Sequence, residues 1–431
     1  MKPTELRRLE RELHEFLWEM FEGLGRRERL ESMSWYVAGL LLDGERKSTE
    51  PMAARLVHDA SEISGMRQRL QECVSISAWS EEVVMGRVAM KVETELPAIE
   101  ALVIDDTGFP KKGRHSVGVQ RQYSGTLGRQ DNCQVATSLH LAGEQGSACI
   151  GLRLYLPEQW CSDSERRQKA KVPDEITFLK KWEIALQQID RALRWGVRRH
   201  VVLADAGYGE ITEFRDGLDS RNLQYLVGIP GEPVVWVPGS DPQIPAKKTR
   251  KGRSRTRYLD PEHPPVSVRA LSATLPFRKV SWRQGSRGWQ SSRFAAVRIR
   301  IAHRHTNGAP PGQEQWLLCE WPASEEAPKK FWLSNLPPKT SVTTLVRLAK
   351  LRWRIERDYQ ELKQEIGLDH FEGRTWRGFH HHAALCAVAH SFLALRRALF
   401  PPEQSEVDDL PRPPGLAAGS AVLDRHLPAM P

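Results

Sequence analysis

Ala101-Leu102-Val103-Ile104-Asp105-Asp106-Thr107-Gly108-Phe109-Pro110-Lys111-Lys112-Gly113 runs four apolar residues into two adjacent carboxylates, then a Thr-Gly turn and a basic pair. The pattern predicts a buried strand that delivers acid groups to its own end. A helix cap or a solvated turn would also use Asp-Asp-Thr, so the meaning of the pair depends on partner carboxylates elsewhere. Adjacent strand residues point to opposite faces, so one of Asp105 and Asp106 is expected to act and the other to be its neighbour.

Two further segments supply partners. Val201-Val202-Leu203-Ala204-Asp205-Ala206-Gly207-Tyr208-Gly209 repeats the design, a short apolar run ending in a carboxylate followed by glycines that let backbone pass close by. The stretch from Arg352 to Lys363 has helical character. At about 100° per residue, Arg352, Glu356, Tyr359 and Lys363 fall within roughly 60° of one another, and Glu361 points away. Two strand-end aspartates and a helical glutamate flanked by cations match the carboxylates needed for two-metal phosphoryl transfer.

The chain resembles DDE-type transposases of bacterial insertion sequences, in the cut-and-paste branch whose last carboxylate lies in a Tyr-x2-Arg-x3-Glu-x6-Lys signature. Arg352, Glu356 and Lys363 fit that spacing; Ala349 stands at the Tyr position, a departure for which Tyr359 is a candidate partial substitute. Asp105 to Gly113, Ser116 to Gly125, Asn132 to Val135 and Leu154 to Trp160 resemble one subgroup closely, in order. The resemblance implies an RNase-H-like mixed sheet flanked by helices, with a largely β insertion and an N-terminal helical domain. It also implies Mg²⁺, with Mn²⁺ able to substitute, held by Asp105 or Asp106 with Asp205 and Glu356. The family motifs align with either Asp of the pair, and the reading leans to Asp106. Double-stranded DNA is the implied partner, both the element's inverted repeats and the target, with a second copy of the chain in a two-ended complex. The implied location is the bacterial cytoplasm, at the nucleoid. The alternative is an inactive DNA-binding protein of a decayed or domesticated element; the three intact acidic positions favour the enzyme, and Ala349 counts against it.

Composition agrees. A length of 431 residues allows two or three domains and ample core, and a formal charge of +9 favours a polyanionic partner. No apolar run approaches the roughly 20 residues that span a bilayer, and the charged amphipathic N-terminus is unlike a signal peptide. The six cysteines form no Cys-x-x-Cys pair, which points to reduced thiols and away from zinc.

Five regions follow. Residues 1–95 read as helices, with Leu6, Leu9, Leu13, Phe16, Leu17 and Met20 on one face, and suggest either a DNA-binding module or a helical cap. Residues 96–230 read as the first part of the core: strands at 101–104, 135–141 and 149–156, a helix over 176–195, and a strand at 201–204 paired beside the first across the crossover. Residues 231–336 read as the β-rich insertion, residues 337–400 as the C-terminal helices of the core, and residues 401–431 as a disordered tail. Within the insertion, Lys247, Lys248, Arg250, Lys251 and Arg253 belong to a basic run that is either a solvated loop or a phosphate-tracking one. Trp282 and Trp289 are read as core residues or base-stacking ones. Lys111 and Lys112 are candidate DNA contacts, as are Arg352, Tyr359 and Lys363. His380, His381 and His382 on one helix would face different ways and are not expected to share an ion.

Overall fold

The computed structural model describes residues 3–125, 128–245, 257–285, 288–302 and 310–399. The basic residues Lys247, Lys248, Arg250, Lys251 and Arg253 and the tail from Pro401 lie outside them. The chain is mixed α/β and RNase-H-like. Five helices open it: α1 (Pro3–Phe21), α2 (Arg27–Leu41), α3 (Thr49–Leu56), α4 (Ile63–Ser75) and α5 (Glu81–Glu95). Then come β1 (Ile99–Pro110), β2 (Gln120–Ser124), β3 (Arg129–Gly143), β4 (Ser147–Leu154), α6 (Glu158–Ser162), α7 (Ser164–Lys169), α8 (Lys181–Trp195) and β5 (Val201–Ala204). The middle of the chain forms α9 (Ala206–Gly209), α10 (Thr212–Ser220), β6 (Tyr225–Ile229), β7 (Val234–Trp236), β8 (Val266–Ser267), α11 (Val268–Ser272), β9 (Arg278–Arg283), β10 (Trp289–Ile301), β11 (Glu314–Trp321) and β12 (Lys330–Ser334). Three helices close it: α12 (Val342–Leu351), α13 (Arg354–Gln360) and α14 (Trp376–Leu399).

The chain divides into two compact units. One holds residues 1–99, 105–198 and 354–431; the other holds 100–104 and 199–353. In the first, β3 pairs antiparallel with both β2 and β4. The N-terminal helices belong to this unit and pack on α14, which touches α2, α4, α5 and β4. Helix α14 is apolar nearly all the way round, and such a helix must be covered on every side. It begins at Trp376, seven residues before the apolar run from Ala383, and so takes in all three histidines. Helix α8 begins at Lys181, not at Ile176, because Glu183 reaches back to accept a hydrogen bond from the Lys180 amide at 2.7 Å and fixes the start there.

In the second unit, residues 101–103 of β1 pair in parallel with β5, and β5 pairs in parallel with β6. Ala101 to Ile104 are fully buried, as a strand covered on both faces requires. The β-rich segment expected as an insertion extends this sheet: β12 pairs antiparallel with β6, then β11, β10 and β7 follow, with β8 on β7 and β9 on β10. Strand β1 does not stop at the acid pair. It runs on to Pro110, so Asp105 and Asp106 lie within it, just past the last residue paired with β5.

Candidate active site

The alternation of β1 separates the two acids. Both are half-buried. Asp106 has both oxygens engaged: Thr137 Oγ1 donates to Oδ1 at 3.2 Å, and Lys181 Nζ, at the start of α8, lies 2.7 Å from Oδ2. Asp105 Oδ1 accepts the Asp106 amide at 2.8 Å. The Asp105 charge also acts on Tyr359 of α13: burial first, then Asp105 ahead of Asp106, pushes that phenol well above its ordinary range. Asp106 is thus the acid engaged by α8, and Asp105 the one whose charge weighs more on Tyr359, in the element that carries Glu356.

The expected continuous face from Arg352 to Lys363 is interrupted twice. Helix α12 ends at Leu351, Arg352 and Trp353 form a turn, and α13 starts at Arg354. Residues 361–365 then widen into one turn of i→i+5 bonding, the Ile366 amide donating to Glu361 O at 3.0 Å. Arg352 therefore sits in the turn, and Glu356 lies exposed on a seven-residue helix. Lys363 donates to the Gly108 carbonyl at 2.8 Å; burial lowers its pKa to about 8. Ala349, at the signature Tyr position, is buried in α12. The Tyr359 hydroxyl lies 2.6 Å from Ser138 Oγ.

In the other unit, Asp205 follows β5 and caps α9, accepting from the Tyr208 amide at 3.3 Å. Of the two glycines after it, Gly209 is needed for packing. A Cβ on Gly209 would lie 1.9 Å from the Gly228 carbonyl oxygen, so α9 rests against β6 at a separation only glycine permits.

The remaining sequence candidates fall as follows. Lys111 Nζ donates to Phe371 O at 2.8 Å, and Lys112 is exposed. Both line a cleft of about 370 Å³ with Arg46, His370, Glu372 and Arg374. The three histidines are buried with separate partners: His380 with the Trp376 carbonyl, His381 with the Trp79 carbonyl, and His382 with the Tyr36 hydroxyl. Trp282 packs edge-on to Phe294 beneath Lys350, whereas Trp289 is 76% exposed and is not a core residue. Among the described residues no group of three or more His, Cys, Asp or Glu side chains is placed to hold a metal ion. By donor chemistry the acids suit Mg²⁺, a hard cation that takes carboxylate oxygens.

Sequence reasoning missed Lys181, Thr137, Ser138, His140 and Asp358. A signal was present in β3, where Thr137, Ser138 and His140 interrupt the otherwise apolar, buried run from Val135 to Gly143. Buried polar groups require partners.

Residues 19–289 match the family model described as DDE superfamily endonuclease, well over half of the chain. The chain belongs to the DDE superfamily endonucleases. The matched part of this DDE endonuclease includes Asp105, Asp106 and Asp205 and stops short of Glu356. The chain is also 31% identical over 204 residues to "Probable transposase for insertion sequence element IS701" of Microchaete diplosiphon. That alignment takes in 46% of this chain and 48% of the relative, so the chain spans about half the length of the curated relative it matches. Among the described residues no helix is long and apolar enough to cross a membrane.

Proposed function

We propose that this DDE endonuclease is the transposase of a bacterial insertion sequence. It binds the element's terminal inverted repeats as double-stranded DNA, cuts at the ends, and joins the freed 3′-OH to target DNA. Asp105, Asp205 and Glu356 are the acids assigned to divalent metal, Mg²⁺ with Mn²⁺ able to substitute. Within the cell it works at the bacterial nucleoid, as a dimer on the two ends.

The observation that carries this reading is the register of β1 on β5. Val103 pairs with Leu203 in parallel. Asp105 stands two residues after Val103 on β1, and Asp205 two residues after Leu203, just past the end of β5. The same count gives Asp106 the opposite face, and Lys181 already neutralises it there. Asp105 is therefore the proposed ligand, in place of the Asp106 favoured by sequence.

When bound, a metal pair activates the attacking oxygen and stabilises the leaving one against an anionic phosphodiester. The chain's own residues supply the rest. Tyr359 sits one turn from Glu356 on the same helical face and is tied to Ser138. Arg352, Lys363, Lys111, Lys112 and the basic residues Lys247, Lys248, Arg250, Lys251 and Arg253 are assigned to backbone phosphates, a role in which each contact adds salt dependence.

The test is cleavage of a plasmid carrying the gene with its flanking DNA, in Mg²⁺, by the wild-type chain and by Asp205→Asn and Glu356→Gln. Metal-dependent cuts at the element's ends are expected from wild type, with a loss on the order of 10⁴-fold in each variant. Binding without cleavage by wild type would favour the decayed-element alternative, and undiminished cleavage by both variants would remove the site assignment.

A further inference from the structure

A buried polar chain extends the Ser138–Tyr359 contact through the first unit, to the short helix that bears Glu356. His140 Nδ1 lies 2.7 Å from Asp358 Oδ2, and Ser147 donates to Asp358 Oδ1 at 2.6 Å. On the other side of the ring, His140 Nε2 lies 3.1 Å from Ser138 Oγ. Ser138 Oγ lies 2.6 Å from the Tyr359 hydroxyl and donates to the Asp105 carbonyl at 3.4 Å. Asp358, His140 and Ser138 are all at most 4% exposed.

The donors and acceptors of this chain match one another. With protons on both ring nitrogens, His140 donates to Asp358 and to Ser138. Ser138 then accepts from His140 and from Tyr359, and turns its single proton to Asp105 O. Each of these protons then meets an acceptor, which is the condition under which a buried network fixes geometry instead of weakening the core.

The helix needs such fixing. Seven residues are too few for α13 to hold its shape alone, and it is interrupted by a turn before it and a widened turn after it. Two of its consecutive residues, Asp358 and Tyr359, are tied to β3, and Glu356 lies two and three positions away from them. Behind them, Glu361 is clamped by Arg397 at 2.6 and 2.5 Å and by Arg357 at 2.7 Å.

We propose that Asp358, His140, Ser138 and Tyr359 form a positioning relay that sets Glu356 and the Asp105 backbone in the geometry required for metal. The inference rests on the metal reading of Asp105 and Glu356. Residues that orient metal ligands cost about 10–100-fold in metal affinity or activity when altered.

The test titrates Mn²⁺ into the full chain, reading bound metal by electron paramagnetic resonance, for wild type, Asp105→Asn, His140→Gln and Tyr359→Phe. Cleavage of the same plasmid is measured in parallel over a range of Mn²⁺. Tyr359→Phe removes one hydroxyl and keeps the ring, so it folds even where His140→Gln fails to. The expected result is a 10–100-fold weaker Mn²⁺ affinity for Tyr359→Phe at an unchanged melting midpoint, with cleavage recovering as Mn²⁺ is raised. A Tyr359→Phe chain that binds Mn²⁺ and cuts as wild type does would overturn the relay while leaving the metal reading intact. A wild-type chain that takes up no Mn²⁺ and makes no cut would overturn the metal reading, and the relay with it.

Discussion

Asp106 is held by Thr137 and Lys181, while the charge of Asp105 weighs more on Tyr359 of the Glu356 helix. That asymmetry makes the pair separable by substitution. Asp105→Asn should lower cleavage on the order of 10⁴-fold, as loss of a reacting group does. Asp106→Asn keeps the Thr137 contact and gives up a half-exposed ion pair of the kind that contributes roughly 0–1 kcal/mol. It should lower cleavage by less than about tenfold and shift the melting midpoint little. Equal mild losses in single-turnover cleavage at both positions would contradict a unique ligand. In the sequence the pair was legible as a place of chemistry, because four apolar residues led into it. Which acid faces where was not, since Lys181 lies 75 residues away and Tyr359 farther still.

At the scale of elements, apolar runs and period decided most of what was legible. β1, β3, β4 and β5 fell where Val, Ile, Leu and Ala clustered between turn residues. The parallel pairing of β5 beside β1 was expected from the helical stretch that separates them in the chain. The interruption at Arg352 and Trp353 had no such signal, for the stretch has neither Gly nor Pro and keeps helical periodicity. At the interruption the Trp353 ring lies so close over Gly285 that a Cβ there would come within 3.0 Å of it. The same interruption explains why Ala349 is not a gap waiting for a tyrosine. It is buried in α12, on the far side of the turn from Glu356. Ala349→Tyr, which would complete the signature on paper, should overpack that site at a cost of about 1–3 kcal/mol. Chemical denaturation would show a lower midpoint, and plasmid cleavage should not rise. An increase in cleavage would mean that the signature acts independently of this packing.

For the molecule as a whole, α14 ties the N-terminal helices to β4 within the first unit, and its histidines make that tie sensitive to acid. His380, His381 and His382 are each lowered by burial from 6.5 to about 4. Between pH 6.5 and 4 the unfolded chain therefore binds protons that the native chain refuses. The stabilisation is complete above pH 6.5 and is lost as pH falls toward 4, at up to about 1.4 kcal/mol per pH unit for each ring. His140, raised above 6.5 by Cys149 and Asp358 against the effect of burial, is charged in both states there and adds no slope. Thermal melts from pH 7.5 to 5 should show a midpoint that falls steeply below 6.5, and a flat midpoint would contradict the burial of neutral rings. The sequence predicted that these rings would not share an ion; it could not show that they anchor α2 through Tyr36 and the segment before α5 through Trp79, because those partners lie about 300 residues away or more.

The close rest of α9 on β6 bears on how copies of this gene can be read. A Cβ at Gly209 has no room, so the residue is as intolerant of drift as the acid four positions before it, although it touches no metal and no DNA in the proposed scheme. Genomes accumulate defunct copies of mobile elements, and inspection of the acids alone would pass many of them as functional. Any side chain at position 209 would mark such a copy as silent while Asp105, Asp205 and Glu356 still stood in place.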